Sequence, residues 1–206
     1  FDGKKLRRLD LSEIGQIAGR AGRYLNDGNF GITGECKEIN AEEINLLENH
    51  KFEEIRTLFW RNSNLNFNNA SALIRSLDEK PHKNWLRKIH ECEDEKVLKY
   101  FLKNLDLYNI KNIKETLTLL WECCQIPDFV KKTYGNHTEV VGKVFEFLNT
   151  PKGKVTEDFM RLQLLKLDKL EGNVDSLSNR IANVRTWSYV SNKNNWVENQ
   201  NYWIEK

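Results

Sequence analysis

Gln16, Arg20 and Arg23 stand at offsets of zero, four and seven residues inside the run Gln16-Ile17-Ala18-Gly19-Arg20-Ala21-Gly22-Arg23. On a helix that spacing puts all three on one face. A guanidinium is planar and permanently charged. It can hold two oxygens of a phosphate at once, which a lysine cannot. A glutamine beside two such forks can orient a water or a phosphate oxygen. The chemistry these types offer is therefore the neutralisation of an oxyanion. An exposed amphipathic helix with solvated arginines is the plainer alternative. Gly15, Gly19 and Gly22 form a stripe between the polar and apolar faces. Each glycine costs about 1 kcal/mol in a helix relative to alanine, so the stripe implies close approach of another group to the backbone.

Positioning these residues requires a helix, and the sequence predicts one. Asp10 can cap it, with Glu13 three residues on as its partner. Leu11, Ile14, Ile17, Ala18, Ala21 and Leu25 recur at helical spacing on the opposite face. Ahead of it, Lys4, Lys5, Arg7 and Arg8 form a basic patch, either a nucleic-acid contact or a solvated turn. After it, Asp27 to Gly34 reads as a turn and short strand.

The pattern Q-x-x-G-R-x-x-R resembles motif VI of superfamily 2 helicases, the helix that closes their second RecA-like domain. The order of Phe1–Leu9, this helix and Asp27–Gly34 is similar to the mitochondrial-degradosome type of RNA helicase, in particular its alphaproteobacterial relatives. Further segments look like those that follow the helicase core in these bacterial proteins. They are Asn49-His50-Lys51-Phe52, Trp60-Arg61-Asn62-Ser63, the stretch from Leu120 to Phe129, and the stretch from Asn179 to Val190. The resemblance implies that Arg20 and Arg23 reach the terminal phosphate of ATP, that Gln16 orients the attacking water or a phosphate oxygen, and that Gly19 and Gly22 line the nucleotide. It also implies Mg-ATP as the energy source and 3′-to-5′ unwinding of RNA or of RNA–DNA hybrids; motif VI itself is shared with DNA helicases. An exoribonuclease is the implied protein partner. The implied location is the bacterial cytoplasm, with the mitochondrial matrix as the alternative.

No G-x-x-x-x-G-K-[ST] loop and no D-E-x-H or D-E-x-D run occurs in the 206 residues. Magnesium would be held by residues outside this sequence, which begins in mid-motif without Met and reads as part of a longer protein. These residues alone are expected neither to hydrolyse ATP nor to unwind a duplex. Composition narrows the rest. With 32 basic and 30 acidic residues, net +2, the chain is no general polyanion binder. RNA contact would rest on local patches: Lys4, Lys5, Arg7 and Arg8, or Arg180, Arg185 and Trp187 near the end. The aromatics there (Trp187, Tyr189, Trp196, Tyr202, Trp203) could stack bases, but sealing a helical core is the simpler expectation in a stretch that is not strongly basic. Cys36, Cys92, Cys123 and Cys124 make no C-x-x-C pair and suggest a reduced compartment. His50, His82, His90 and His137 have no metal spacing, and no metal ligand is expected. No apolar run is long enough to span a membrane.

The expected fold is mainly α. Residues 1–34 would be the end of a RecA-like α/β domain, the motif VI helix plus a short strand. Residues 35–206 would be an all-helical region with a sub-domain boundary near 150–155. Alone, the first piece would leave apolar faces and sheet edges uncovered. Helices are predicted over roughly 41–49, 51–61, 82–91, 93–104, 112–125, 137–149 and 156–170. One more is capped by Asn69, and one opening at Asp175 carries Leu177, Ile181 and Val184 on one face. The second functional class is a helical adaptor that docks a ribonuclease or another protein. Its mark would be apolar residues left uncovered on the helices between 36 and 206.

Overall fold

The computed structural model describes residues 7–22, 26–34, 36–104, 112–129, 134–167 and 174–205. It forms two compact units, Phe1–Leu58 and Phe59–Lys206. This division falls at 58/59, past the expected break at 34/35, and Val155, beside the turn at 150–154, is fully buried inside the second unit.

Unit 1 holds two helices that pack together, α1 (Leu11–Ala18) and α2 (Ala41–Glu48). Glu13 accepts the Asp10 backbone N–H at 2.9 Å, the reciprocal half of the predicted capping box. Asn40 accepts from the Glu43 N–H at 2.8 Å and Glu43 accepts from the Asn40 N–H at 3.1 Å, so the second box is complete. α1 is shorter than its apolar spacing predicts. It closes at Gly19, whose N–H reaches the Gly15 carbonyl at 2.9 Å, and the chain then turns. Two glycines within four residues of that end remove the side chains that could have held further turns. Residues 26–34 pair with no strand, so the short strand expected there does not form among the described residues.

Unit 2 begins in the three-residue strand β1 (Leu58–Trp60), which crosses the division. α3 (Ala70–Leu77) follows, with Asn69 accepting from the Ala72 N–H at 2.8 Å. β2 (Leu86–Lys88) then pairs with β1, the Ile89 N–H reaching the Trp60 carbonyl at 2.9 Å. These strands correct the helices expected over 51–61 and 82–91. Ile55 and Phe59 are 81% and 73% exposed, so no core exists for a helical face there, and Thr57 to Trp60 are β-branched or aromatic for most of their length. Long helices make up the rest: α4 (Glu93–Asn104), α5 (Ile113–Cys124), α6 (Tyr134–Leu148), α7 (Glu157–Leu167), α8 (Val174–Asn192) and α9 (Gln200–Glu205). The acidic first turn of α4 meets the positive end of its dipole. α5 stops three residues before Pro127, as the ring requires. The C-cap expected at Gly172 lies outside the described residues.

One continuous core fills unit 2. Leu73 and Leu77 from α3, Val97 and Leu98 from α4, and Leu117, Leu120 and Trp121 from α5 meet Val141, Val144 and Phe145 from α6. Met160, Trp187, Val190, Trp196 and Trp203 extend it through α7, α8 and α9. An isolated parallel bridge between Val155 and Val197 joins the start of the α7–α8 hairpin to the segment after it. No described helix is long and apolar enough to cross a membrane.

Candidate functional site

α1 carries Gln16 on an exposed face, and Arg20 follows in the turn that ends it, also exposed. Neither makes a side-chain hydrogen bond or ion pair with a described residue. Arg23 lies outside the described residues, as do Lys4 and Lys5. The three-residue stripe predicted for one continuous helix is thus split: Gln16 is helical, and Arg20 stands past the helix end.

The basic patch before α1 is engaged differently. Arg7 grips Glu13 with both guanidinium nitrogens, at 2.6 and 2.7 Å, and Arg8 binds Glu43 at 2.7 Å. The Arg7 fork, helped by the Asp10 N–H, holds the Glu13 carboxyl down to about 2. The Asn40 N–H and Arg8 likewise lower Glu43. Arg7 and Arg8 therefore serve the start of α1 and its link to α2, and would have to leave these carboxylates to meet a nucleic-acid phosphate.

The glycine stripe has an internal explanation. A Cβ on Gly15 would meet the tip of the Phe52 ring at 2.6 Å, so the close approach predicted for this face is made by Phe52. A Cβ on Gly22 would stand 2.5 Å from the Asn26 carbonyl oxygen, where the chain folds back on itself. The Gly19 N–H is spent on the helix. Beside α1, Leu9, Ile14, Ile17, Phe30, Ile32 and Ile39 line an open, largely apolar groove of about 600 Å³.

In unit 2 the expected nucleic-acid residues separate. Trp187 is buried with its ring 5.7 Å from that of Phe159, edge to face, so it seals the core and offers no face to a base. Trp196 and Trp203 are buried as well. Arg185 is exposed and lies over the Phe129 ring at 4.1 Å. Arg180 is half-buried on the same helix and is itself engaged in an interaction.

A second concavity, about 510 Å³, opens between β1, the start of α4 and the end of α5. Arg61 and Asp94 form its polar wall, paired at 2.8 and 2.9 Å, and the guanidinium stands 5.3 Å from the Trp121 ring. Cys92, Asp128 and His137 complete that wall. Burial lowers the His137 imidazole and raises the Cys92 thiol, so both are held neutral. Burial also pushes Cys123 up to about 12 and raises Cys124. None of these thiols is an activated nucleophile. Sequence reading missed this cleft because Arg61 and Asp94 lie far apart in the chain and share no motif spacing.

The segments quoted for the family resemblance meet one another. Arg61 covers Trp121, Arg185 covers Phe129, and the Thr186 hydroxyl reaches the Pro127 carbonyl at 3.4 Å. The buried Asn62 amide donates to the Asn64 and Ser76 carbonyls and to Glu79 at 2.6 Å. In unit 1, Phe52 covers Gly15. These runs hold the packing together, whereas Gln16 and Arg20 are exposed and make no side-chain hydrogen bond or ion pair with a described residue. Among the described residues no cluster of three or more His, Cys, Asp or Glu could hold a metal ion. No protein-family model, no curated protein and no solved structure matches the chain.

Proposed function

We propose that the chain is the C-terminal part of an ATP-dependent RNA helicase. In this reading residues 1–34 are the end of the second RecA-like domain, and Arg20 and Arg23 stabilise the charge on the transferring phosphoryl group of ATP. Gln16 orients the attacking water or a phosphate oxygen. Magnesium is held elsewhere in the protein. The helices of unit 2 flank the channel for RNA, or for an RNA–DNA hybrid, and couple its grip to domain closure in the bacterial cytoplasm.

One observation carries this reading: within the motif Q-I-A-G-R-A-G-R, Gln16 and Arg20 are exposed and unengaged, whereas Arg7 and Arg8 just upstream are held by carboxylates. The apolar groove beside α1 fits as well, since the remainder of a RecA-like sheet would cover it. The test is RNA-stimulated ATP turnover by the full-length protein carrying Arg20→Ala or Arg23→Ala. A fall of about 10³–10⁵ with ATP binding retained is expected of an arginine finger. Unchanged turnover removes the reading. The 206 residues alone are expected to be inactive.

An adaptor that docks an exoribonuclease or another protein is the second reading. It is favoured by a row of aliphatic residues left uncovered on α7 and α8.

A further inference from the structure

From Lys80 to His90 the chain carries Lys80, Lys83, Arg87 and Lys88 and no acidic residue, in a sequence whose net charge is only +2. This run holds β2 and the turn ahead of it. β1 and β2 are parallel, and the Trp60 carbonyl accepts from the N–H of Ile89, one residue past Lys88. That bond sets Trp60 beside Lys88 and Phe59 beside Arg87. Side chains alternate along a strand, so the members of each pair share a face. Trp60 and Lys88 are half-buried and face inward, whereas Phe59, 73% exposed, and Arg87 face outward.

The same alternation sorts the charges. Lys88 on the inner face binds Asp78 at 2.7 Å. The other carboxylates near the ribbon are spent as well. Glu91 pairs with Lys99, Glu93 with Lys96 and Asp94 with Arg61, while Glu79 holds the Asn62 amide. Asp128, which lines the same cleft as Phe59, is itself engaged in an interaction. Lys80, Lys83 and Arg87 are exposed and make no ion pair with a described residue. The Lys83 ammonium stands 5.2 Å from the ring of Trp85, which is itself exposed and lies two residues before Arg87. The outer side of the ribbon therefore presents cations and open aromatic rings together. Cations alone attract any polyanion. Exposed rings beside them suit a ligand that carries both phosphates and unstacked bases. A duplex hides the faces of its bases, and an acidic peptide offers the rings nothing to stack on.

We propose that Phe59, Lys83, Trp85 and Arg87 form a contact for single-stranded RNA, the rings stacking bases and the cations meeting the phosphates between them. The choice of RNA over DNA rests on the helicase reading; the stacking and phosphate contacts come from the ribbon alone, and no residue of the ATP site enters them.

The experiment follows the anisotropy of a fluorescein-labelled oligouridylate of about 12 nucleotides as the 206-residue chain is added without ATP. Phe59→Ala with Trp85→Ala should weaken binding at least about tenfold. Phe59→Tyr with Trp85→Tyr, which keeps both rings, should retain most of it. Lys83→Gln with Arg87→Gln should lower the slope of log affinity against log salt by about 1.4, the share of two phosphates on a single strand. Circular dichroism checks each variant's fold. Wild-type affinity in the alanine pair, an unchanged salt slope in the glutamine pair, or no saturation up to about 1 mM chain would overturn the contact. Equal or tighter binding of an oligothymidylate would overturn the choice of RNA. Displacement of the probe by polyglutamate as readily as by unlabelled oligouridylate would reduce the surface to charge and overturn the stacking. In the full-length protein the alanine pair should raise the RNA concentration that half-stimulates ATP turnover, whereas Arg20→Ala should lower the maximum. The first effect without the second removes the helicase reading and leaves the ribbon contact; the second without the first removes the ribbon contact and leaves the helicase reading.

Discussion

Unit 1 and unit 2 differ most in what they bury. Among the described residues of unit 1 only Leu47 is buried, and α1 has no buried residue at all. Unit 2 carries a continuous core from Leu73 to Trp203. Both use the same local devices, since Asn caps open helices in each. Local signals therefore specify a helix in either unit, but only unit 2 has the tertiary burial that makes helices stable in water. Unit 1 keeps Leu9, Ile17, Phe30 and Ile32 at its surface.

Native-state hydrogen exchange breaks or sharpens that contrast with the largest effect. Amides of Leu98, Leu120 and Val144 should exchange at least about 10³-fold more slowly than those of Ile14 and Ile17. Equal protection would mean that unit 1 is stable by itself.

Paired truncations come next. Leu120→Ala should cost about 2–5 kcal/mol, because the side chain is fully buried and leaves a cavity. Ile17→Ala should change stability by no more than about 0.5 kcal/mol, read as the denaturant midpoint at constant slope. A large Ile17 effect would show that its groove is covered.

The smallest test sets two carboxylates against each other. Glu13, in unit 1, is exposed and held by Arg7 at about 2, below its ordinary 4.5. Its contribution is complete above 4.5 and is lost as pH falls through about 2. Glu95, in unit 2, is buried with Oε1 unpartnered, and desolvation raises it. Its folded form favours the proton, so it weakens the fold as pH rises past the ordinary carboxylate range. Glu95→Gln should therefore raise the unfolding midpoint more near pH 8 than near pH 4, by about 1 kcal/mol at most. NMR titration of Glu13 in Arg7→Ala should return its midpoint toward 4.5.

How much the sequence shows depends on the range of the interaction that decides the matter. The caps at Asn40 and Asn69 and the helices α4 to α6 follow from residues within a turn of one another. The stretches 51–61 and 82–91 are predicted as helices too, yet each holds only a three-residue strand, because the pairing of β1 with β2 joins residues distant in sequence. Leu177, Ile181 and Val184 share one face as their spacing predicts and are exposed, since periodicity reports that a face is apolar and not what covers it. At the candidate site the types and spacing of Gln16 and Arg20 were legible. Their split at Gly19, and the role of Phe52 in filling the stripe at Gly15, depended on packing that no local pattern encodes.

The Val155–Val197 bridge has a mechanical consequence. The Val155 N–H binds the Trp196 carbonyl at 2.8 Å and the Glu198 N–H binds the Val155 carbonyl at 3.0 Å, so the loop containing α7 and α8 is tied shut at its base. The two segments run parallel at the bridge. Tension applied between the segment ahead of α7 and the C-terminal end loads both hydrogen bonds in shear, along with the buried valines, before either helix is stretched. Load between these two segments would therefore reach the core through the clasp before it unwinds α7 or α8.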